Sequence, residues 1–206
     1  IFNSNSVLHT GIIPIGGANI TKDIAYAIQT STEQAELLKC EYGNSKVSLS
    51  SDDNDIVVKG IGGRKEYKIS QKILAEIIEP RMEEIFNLAR EEIFKSDFKG
   101  EANGSTIYTF GVVLTGGGSQ MPNLVDLATT IFEMPVKVSA PIIDIKSNAK
   151  LNKIAFDLEN PKFSTVLGIV EYVKELEENS NINEYIEGSF QDIFNKIYNK
   201  IKSIIK

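Results

Sequence analysis

Tryptophan is absent from this chain of 206 residues, and cysteine and histidine occur once each. A single cysteine, Cys40, excludes a disulfide framework and a cysteine-rich zinc site, and a single histidine, His9, excludes a histidine-built metal centre and a histidine-dependent triad. No stretch of about 18 uninterrupted apolar residues occurs, so nothing is expected to span a membrane. A basic segment followed by an apolar stretch of the secretory type is also missing, and the chain reads as cytoplasmic. Basic residues are the minority: 22 Lys and Arg stand against 28 Asp and Glu, a formal net charge of -6. That balance argues against general nucleic-acid binding. What is present is 42% hydrophobic residues, enough to core one large domain or two small ones.

The chain opens on Ile1-Phe2-Asn3 without an initiator Met, and it reads as a piece of something longer. Charge is distributed unevenly. Residues 191–206 carry Lys196, Lys200, Lys202 and Lys206 against Asp192 alone, leaving 18 basic and 27 acidic residues elsewhere. The tail is therefore electrostatically distinct from an acidic body.

Along the chain, the β-branched and apolar run Val7 to Ile15 predicts a strand ending at Gly16-Gly17. A short helix follows from Asn19 or Thr21, with Ile24, Ala27 and Ile28 on its inner face. Ser31-Thr32-Glu33-Gln34 fits a capping box for a second helix that reaches Gly43-Asn44. Turns at Asp52-Asp53-Asn54 and Gly60-Ile61-Gly62-Gly63 frame short β-type runs such as Ile56-Val57-Val58, a small inserted subdomain. Ser70 caps a long helix whose stripe runs Ile73, Leu74, Ile77, Ile78, Met82, Ile85, Phe86, Ala89 and Ile93, with a kink or break expected near Glu79 because Pro80 follows. Lys99 to Ser105 is a polar connection. Phe110 to Thr115 is a strand apolar enough to be buried on both faces. Gly116-Gly117-Gly118 ends it, a helix starts near Pro122 with Leu124, Leu127, Ala128 and Ile131 inward, and Pro135 to Val138 is a further strand. Thr165 to Lys174 predicts a last core helix, with Val166, Ile169, Val170 and Val173 on one side and Gly168 allowing close approach. Strand, triple glycine, helix, strand is the pattern of an α/β protein.

Three residues without Cβ between a strand and a helix let a ligand approach the backbone and meet oriented N–H groups. The spacing is neither a dinucleotide fingerprint, since Met121 stands where its last glycine would be, nor a P-loop. Glu36 and Lys39, by spacing alone, are an i,i+3 ion pair worth roughly a few tenths of a kcal/mol.

The last stretch carries a second signal of its own. Phe190, Ile193, Phe194, Ile197, Tyr198, Ile201, Ile204 and Ile205 recur at helical spacing, with the four lysines on the remaining arc. Such a helix lies in a membrane interface rather than crossing it, and each Lys near anionic lipid adds about 1 kcal/mol. The alternative is a helix folded back onto the domain. Glu175 to Gly188 before it is acidic and without periodicity, as suits a tether.

Thr115-Gly116-Gly117-Gly118-Ser119-Gln120-Met121-Pro122-Asn123-Leu124 closely resembles the adenosine motif of the actin, heat-shock-protein and sugar-kinase superfamily, and within it the FtsA family of bacterial cell-division proteins. Residues 13–25, 33–43 and 77–85 resemble that family in the same order. The resemblance implies the second half of an actin-like (ribonuclease H-like) α/β ATPase fold with a small inserted α+β subdomain. Residues 1–44 and 106–175 would form the second large subdomain, 45–105 the inserted one, 176–189 an acidic flexible linker and 190–206 an amphipathic membrane-targeting helix. It further implies a site for ATP with Mg2+ that only the preceding half completes, since the family's phosphate loops and its subdomain for self-association would lie before residue 1. Gly116, Gly117, Gly118 and Ser119 would line the adenosine, Glu36 and Lys39 would reach ribose and base, and Gly16 and Gly17 would lie near the phosphates.

As the resemblance has it, the inserted subdomain receives the C-terminal peptide of the tubulin-like protein FtsZ. Lys72, Arg81, Asn87 and Arg90 are the candidates for that contact, although by sequence alone they form a solvated helix face. The implied protein tethers FtsZ filaments to the cytoplasmic face of the inner membrane at the septum, self-associates under the control of ATP, meets later division proteins and performs no catalysis in this half. The rival readings are an enzyme of the same superfamily, a sugar or acetate-type kinase or a chaperone ATPase, and a rod-shape actin. None of them has use for a basic amphipathic tail at this end.

Overall fold

The structure is a computed structural model that describes residues 1–3, 6–53, 56–63, 65–95, 101–102, 105–106, 111–142 and 159–179. It divides into two compact units, one formed by residues 1–114 and 118–138 and the other by residues 115–117 and 139–206.

In the first unit, β1 (Phe2–Asn3) and β2 (Ser6–Val7) form a small antiparallel hairpin. The strand expected from Val7 to Ile15 stops at Val7. Residues 8–15 are irregular, and Ile12 is 90% exposed, because among the described residues no second strand pairs with this run. Helix α1 (Gly17–Ala27) begins directly after Gly16, two residues before the first expected start. It buries Ile20, Thr21 and Ile24, while Ala27 faces solvent. Helix α2 (Thr32–Tyr42) opens as its sequence requires, with the Gln34 amide donating to Ser31 Oγ at 3.2 Å.

Strands β3 (Ile56–Val58) and β4 (Tyr67–Ile69) pair antiparallel, Ile56 opposite Ile69. Ile56, Val58 and Ile69 are buried and Val57 is exposed, the alternation of a hairpin with one face on a core. Thr30 Oγ1 donates to the Lys59 carbonyl at 2.8 Å, and the Tyr67 hydroxyl donates to the Ile28 carbonyl. Helix α3 (Gln71–Lys95) is unbroken for 25 residues with Pro80 inside it, where the sequence predicts a kink or break. Its Leu74, Ala75, Ile78, Met82 and Phe86 are buried, and it packs on α1, α2 and α4. Packing of this stripe on three neighbours holds the helix together through the proline, whose own side chain points to solvent.

The stretch read as a polar connection carries a short hairpin, β5 (Glu101–Ala102) with β6 (Ser105–Thr106). Strand β7 (Val112–Leu114) runs parallel to β8 (Val136–Val138), joined through α4 (Leu124–Phe132) in a strand, helix, strand unit. Gly111 precedes β7 with φ +92, and a Cβ there would lie 2.3 Å from the Pro135 carbonyl oxygen, so only glycine fits. The strand is not buried on both faces: Val112 and Leu114 pack on the core, while Val113 is 54% exposed because among the described residues β7 has only β8 beside it. Helix α4 starts at Leu124 rather than Pro122, which stands in the turn before it. Leu124, Leu127, Ala128 and Phe132 are buried, and the Phe132 ring meets Phe86 of α3 at 5.5 Å between centroids.

In the second unit, a 3-10 turn (Pro161–Phe163) leads into α5 (Ser164–Asn179), which extends five residues beyond the expected end at Lys174. Its apolar spacing predicts a core helix, yet Val166 and Ile169 are about half exposed and a Cβ on Gly168 would meet nothing within 4 Å. Spacing shows that a stripe is apolar, whereas only a neighbour buries it. No helix among the described residues is long and apolar enough to cross a membrane.

Candidate functional site

The first turn of α1 and the middle of α2 meet around one ammonium group. Lys39 Nζ donates to Glu36 Oε2 at 2.7 Å, to Thr21 Oγ1 at 2.9 Å and to the Gly17 carbonyl at 3.2 Å, which uses all three of its N–H bonds. Thr21 Oγ1 lies 3.0 Å from that same carbonyl and hydrogen bonds to Glu36 Oε2. The lysine side chain is 12% exposed and the glutamate 49%. Hydrogen bonds from Lys39 and then Thr21 hold the Glu36 carboxyl below the usual carboxylate range, against a smaller opposing effect of burial. Its other oxygen, Oε1, has a weak contact with Cys40 Sγ at 3.5 Å, and burial together with that carboxylate pushes the Cys40 thiol up.

At the mouth of α1, the Gly16 N–H donates to Asn19 Oδ1 at 3.1 Å. A Cβ on Gly16 would meet nothing within 4 Å, and one on Gly17 would only touch Lys39 Nζ at 3.6 Å. The same holds at Gly118, which belongs to the same unit and whose φ is not positive. Neither packing nor backbone geometry demands glycine at Gly16 or Gly118; the missing side chains leave open space in front of polar backbone. Ser119, next in the loop, is 7% exposed. Gly116 and Gly117 belong to the second unit. There Gly116, at φ +89, does need to be glycine, and its N–H donates to the Pro161 carbonyl at 3.1 Å. Thr115 Oγ1 donates to the Ser139 carbonyl at 3.0 Å and sits 2.6 Å from Ser164 Oγ.

The structure thus brings Gly17, Glu36 and Lys39 together and adds Thr21, which sequence reading missed. The available signal was a hydroxyl four residues after Gly17, one turn along the helix. The four candidates on α3 do not share one edge. At about 100° per residue, Lys72, Asn87 and Arg90 fall on one side and Arg81 about opposite. Arg81 grips Asp23 of α1 through Nε at 2.5 Å and Nη2 at 3.1 Å and also pairs with Glu84. Lys72 pairs with Asp52 at 3.1 Å and Arg90 with Glu133 at 3.0 Å, while Asn87 is exposed. The candidate membrane residues, Phe190 to Lys206, lie outside the described residues.

The fold is that of actin-like proteins. The chain superposes on crystal structures of MreB 5 of Spiroplasma citri, one bound to AMPPNP and one to ADP, each with a TM-score of 0.55 at 20% identity. The superposed parts are 81% and 82% of this chain and 47% and 48% of those chains. A family model described as "Cell division protein FtsA" matches residues 1–168, so the chain belongs to the FtsA family. Among its relatives, FtsA of Pseudomonas aeruginosa is 34% identical over 172 residues, 84% of this chain and 38% of that protein. FtsA of Neisseria meningitidis is 34% identical over 179 residues, 87% and 40%, and FtsA of Bacillus subtilis 33% over 172 residues, 84% and 35%. The chain spans about two fifths of the length of these curated relatives.

Proposed function

We propose that the complete protein is a coupler that ties FtsZ filaments to the cytoplasmic face of the membrane at the division septum, with ATP and Mg2+ governing its self-assembly. The observation that carries this reading is the family match over residues 1–168 followed, beyond it, by a basic amphipathic segment at 190–206. Each part has its own physical support. For the nucleotide, the open space at Gly16 and Gly118 admits a ligand to the backbone. Glu36 is kept ionised and aimed by Lys39 and Thr21, which leaves Oε1 to accept from a ribose hydroxyl. Gly17 and Ser119 complete the first unit's share; Gly116 and Gly117, by themselves, keep the adenosine role that the family resemblance implies, and bound ATP would supply the charge that sets the assembly state. We assign this chain no catalytic step.

For the partner, Lys72, Asn87 and Arg90 share a side of α3 suited to a partly acidic, partly apolar peptide, while Arg81 serves to hold α3 on α1. For the membrane, Phe190, Ile193, Phe194, Ile197, Tyr198, Ile201, Ile204 and Ile205 supply the apolar face and Lys196, Lys200, Lys202 and Lys206 the attraction to anionic lipid. Later division proteins would be gathered at the septum by the same anchored body. Co-sedimentation with phosphatidylglycerol liposomes tests the anchor. The intact chain should pellet at low salt and less at high salt, and a chain ending at Gly188 or carrying Phe194→Glu should stay in solution. An intact chain that stays in solution at low salt contradicts it.

A further inference from the structure

The exit of α2 and the entrance of α4 are joined by a buried polar clamp that the reading above leaves unused. Ser45 is fully buried, and its Oγ at 2.7 Å and its N–H at 3.1 Å both donate to the Pro122 carbonyl, filling both lone pairs of that oxygen. Asn44, 3% exposed, accepts at Oδ1 from the Lys46 N–H at 3.0 Å and from Asn123 Nδ2 at 2.9 Å, and its own Nδ2 donates to the Leu49 carbonyl at 3.4 Å. Asn123 is the N-cap of α4 in a left-handed conformation, φ 61 and ψ 11, and makes no side-chain cap bond. An Asn at a helix start ordinarily uses its oxygen on the helix's own N–H groups. Here the side chain reaches 79 residues back along the sequence instead.

The placement of this clamp gives it a consequence. Gly118 and Ser119 are on the turn that leads through Pro122 and Asn123 into α4, and the Met121 N–H donates to the Gly118 carbonyl at 3.3 Å. Glu36 and Lys39 are on the helix that exits at Asn44 and Ser45. Two ligand-facing segments far apart in sequence are thereby fixed to each other by hydrogen bonds that no ligand needs to make. We propose that Asn44, Ser45 and Asn123 are positioning residues of the nucleotide site, holding the Gly118–Ser119 turn in register with Glu36 and Lys39 before ligand arrives. This rests on the nucleotide reading above and deepens it, since preorganisation lowers the ordering cost of binding without any new contact.

The test uses the complete protein, with ATP and Mg2+ titrated by calorimetry and the unfolding midpoint measured without nucleotide. Asn123→Gly removes the amide but supports the left-handed backbone, so the midpoint should stay near wild type. The dissociation constant for ATP should rise about three- to tenfold. Ser45→Ala, which leaves the backbone donor to Pro122 in place, should act in the same direction and less. Unchanged ATP affinity in both variants, or affinity that falls only in step with the midpoint, overturns the clamp while leaving the nucleotide reading intact. Lys39→Ala is the reference: if wild type shows no saturable ATP binding, or Lys39→Ala binds as tightly as wild type, the nucleotide reading itself fails and the clamp with it.

Discussion

Glu36 is the residue on which several local effects converge. Its carboxyl is lowered by Lys39 and Thr21, so its contribution to folding is fully present above its unfolded value near 4.5 and is lost as pH falls through the lower folded value. The stability gap between wild type and Glu36→Gln, followed by urea unfolding from pH 7 downward, should hold to about pH 5 and narrow steadily as the pH falls further. A gap that widens on acidification contradicts the assignment. Cys40 reports on the same carboxylate from outside. Burial first and Glu36 second keep its thiol protonated, so alkylation by iodoacetamide at pH 7.5 should be slow and should quicken about two- to fivefold in Glu36→Gln. Equal rates would mean that burial alone governs the thiol. The i,i+3 spacing makes Glu36 and Lys39 neighbours on one helix face. Spacing could not give Lys39's other two acceptors, which lie 18 and 22 residues away in sequence and meet it only once α1 packs on α2.

At the scale of elements, what is local was legible. The Ser31 cap, the stripe of α3 from Leu74 onward, the Ile56–Val58 strand and the glycine-terminated β7 all follow from a few consecutive residues, whereas Ile73, which the same spacing puts on the stripe, is 43% exposed. What needs a partner was not. The run Val7 to Ile15 has β-branched residues but no strand beside it among the described residues, and α5 has an apolar stripe with its Val166 and Ile169 left largely exposed. The α3 proline shows the same limit from the other side, because tertiary packing overrides a strong local breaker. Two substitutions probe that balance. Ile78→Ala empties a fully buried position on α3 and should cost about 2–5 kcal/mol in denaturant unfolding. Pro80→Ala restores a backbone donor in an unbroken helix and should stabilise by about 1–3 kcal/mol. A destabilising Pro80→Ala would show that the proline shapes α3 rather than merely being tolerated by it. Arg81, gripping Asp23 with two nitrogens, ties α3 to the helix that opens at Gly17. Arg81→Ala should lower the unfolding midpoint, and Asp23→Asn should lower it without adding to Arg81→Ala, as expected of one shared interaction.

For the whole molecule, the resemblance to an actin-like fold was legible because four segments matched in family order, and the family model and the superposition agree with it. The division of labour in the proposal follows from where unlike chemistry stands along the chain: open backbone and a charge cluster at the α1–α2 junction, cations along α3, and a basic amphipathic stretch at the end. Coupling these three is the central claim, and a flotation assay tests it directly. Phosphatidylglycerol liposomes, FtsZ filaments, ATP and the complete protein are mixed and separated by density. FtsZ is predicted to float with the liposomes when the intact protein is present, less with Arg90→Glu, and not at all when the protein ends at Gly188. FtsZ left behind by an intact protein that itself floats would contradict the account.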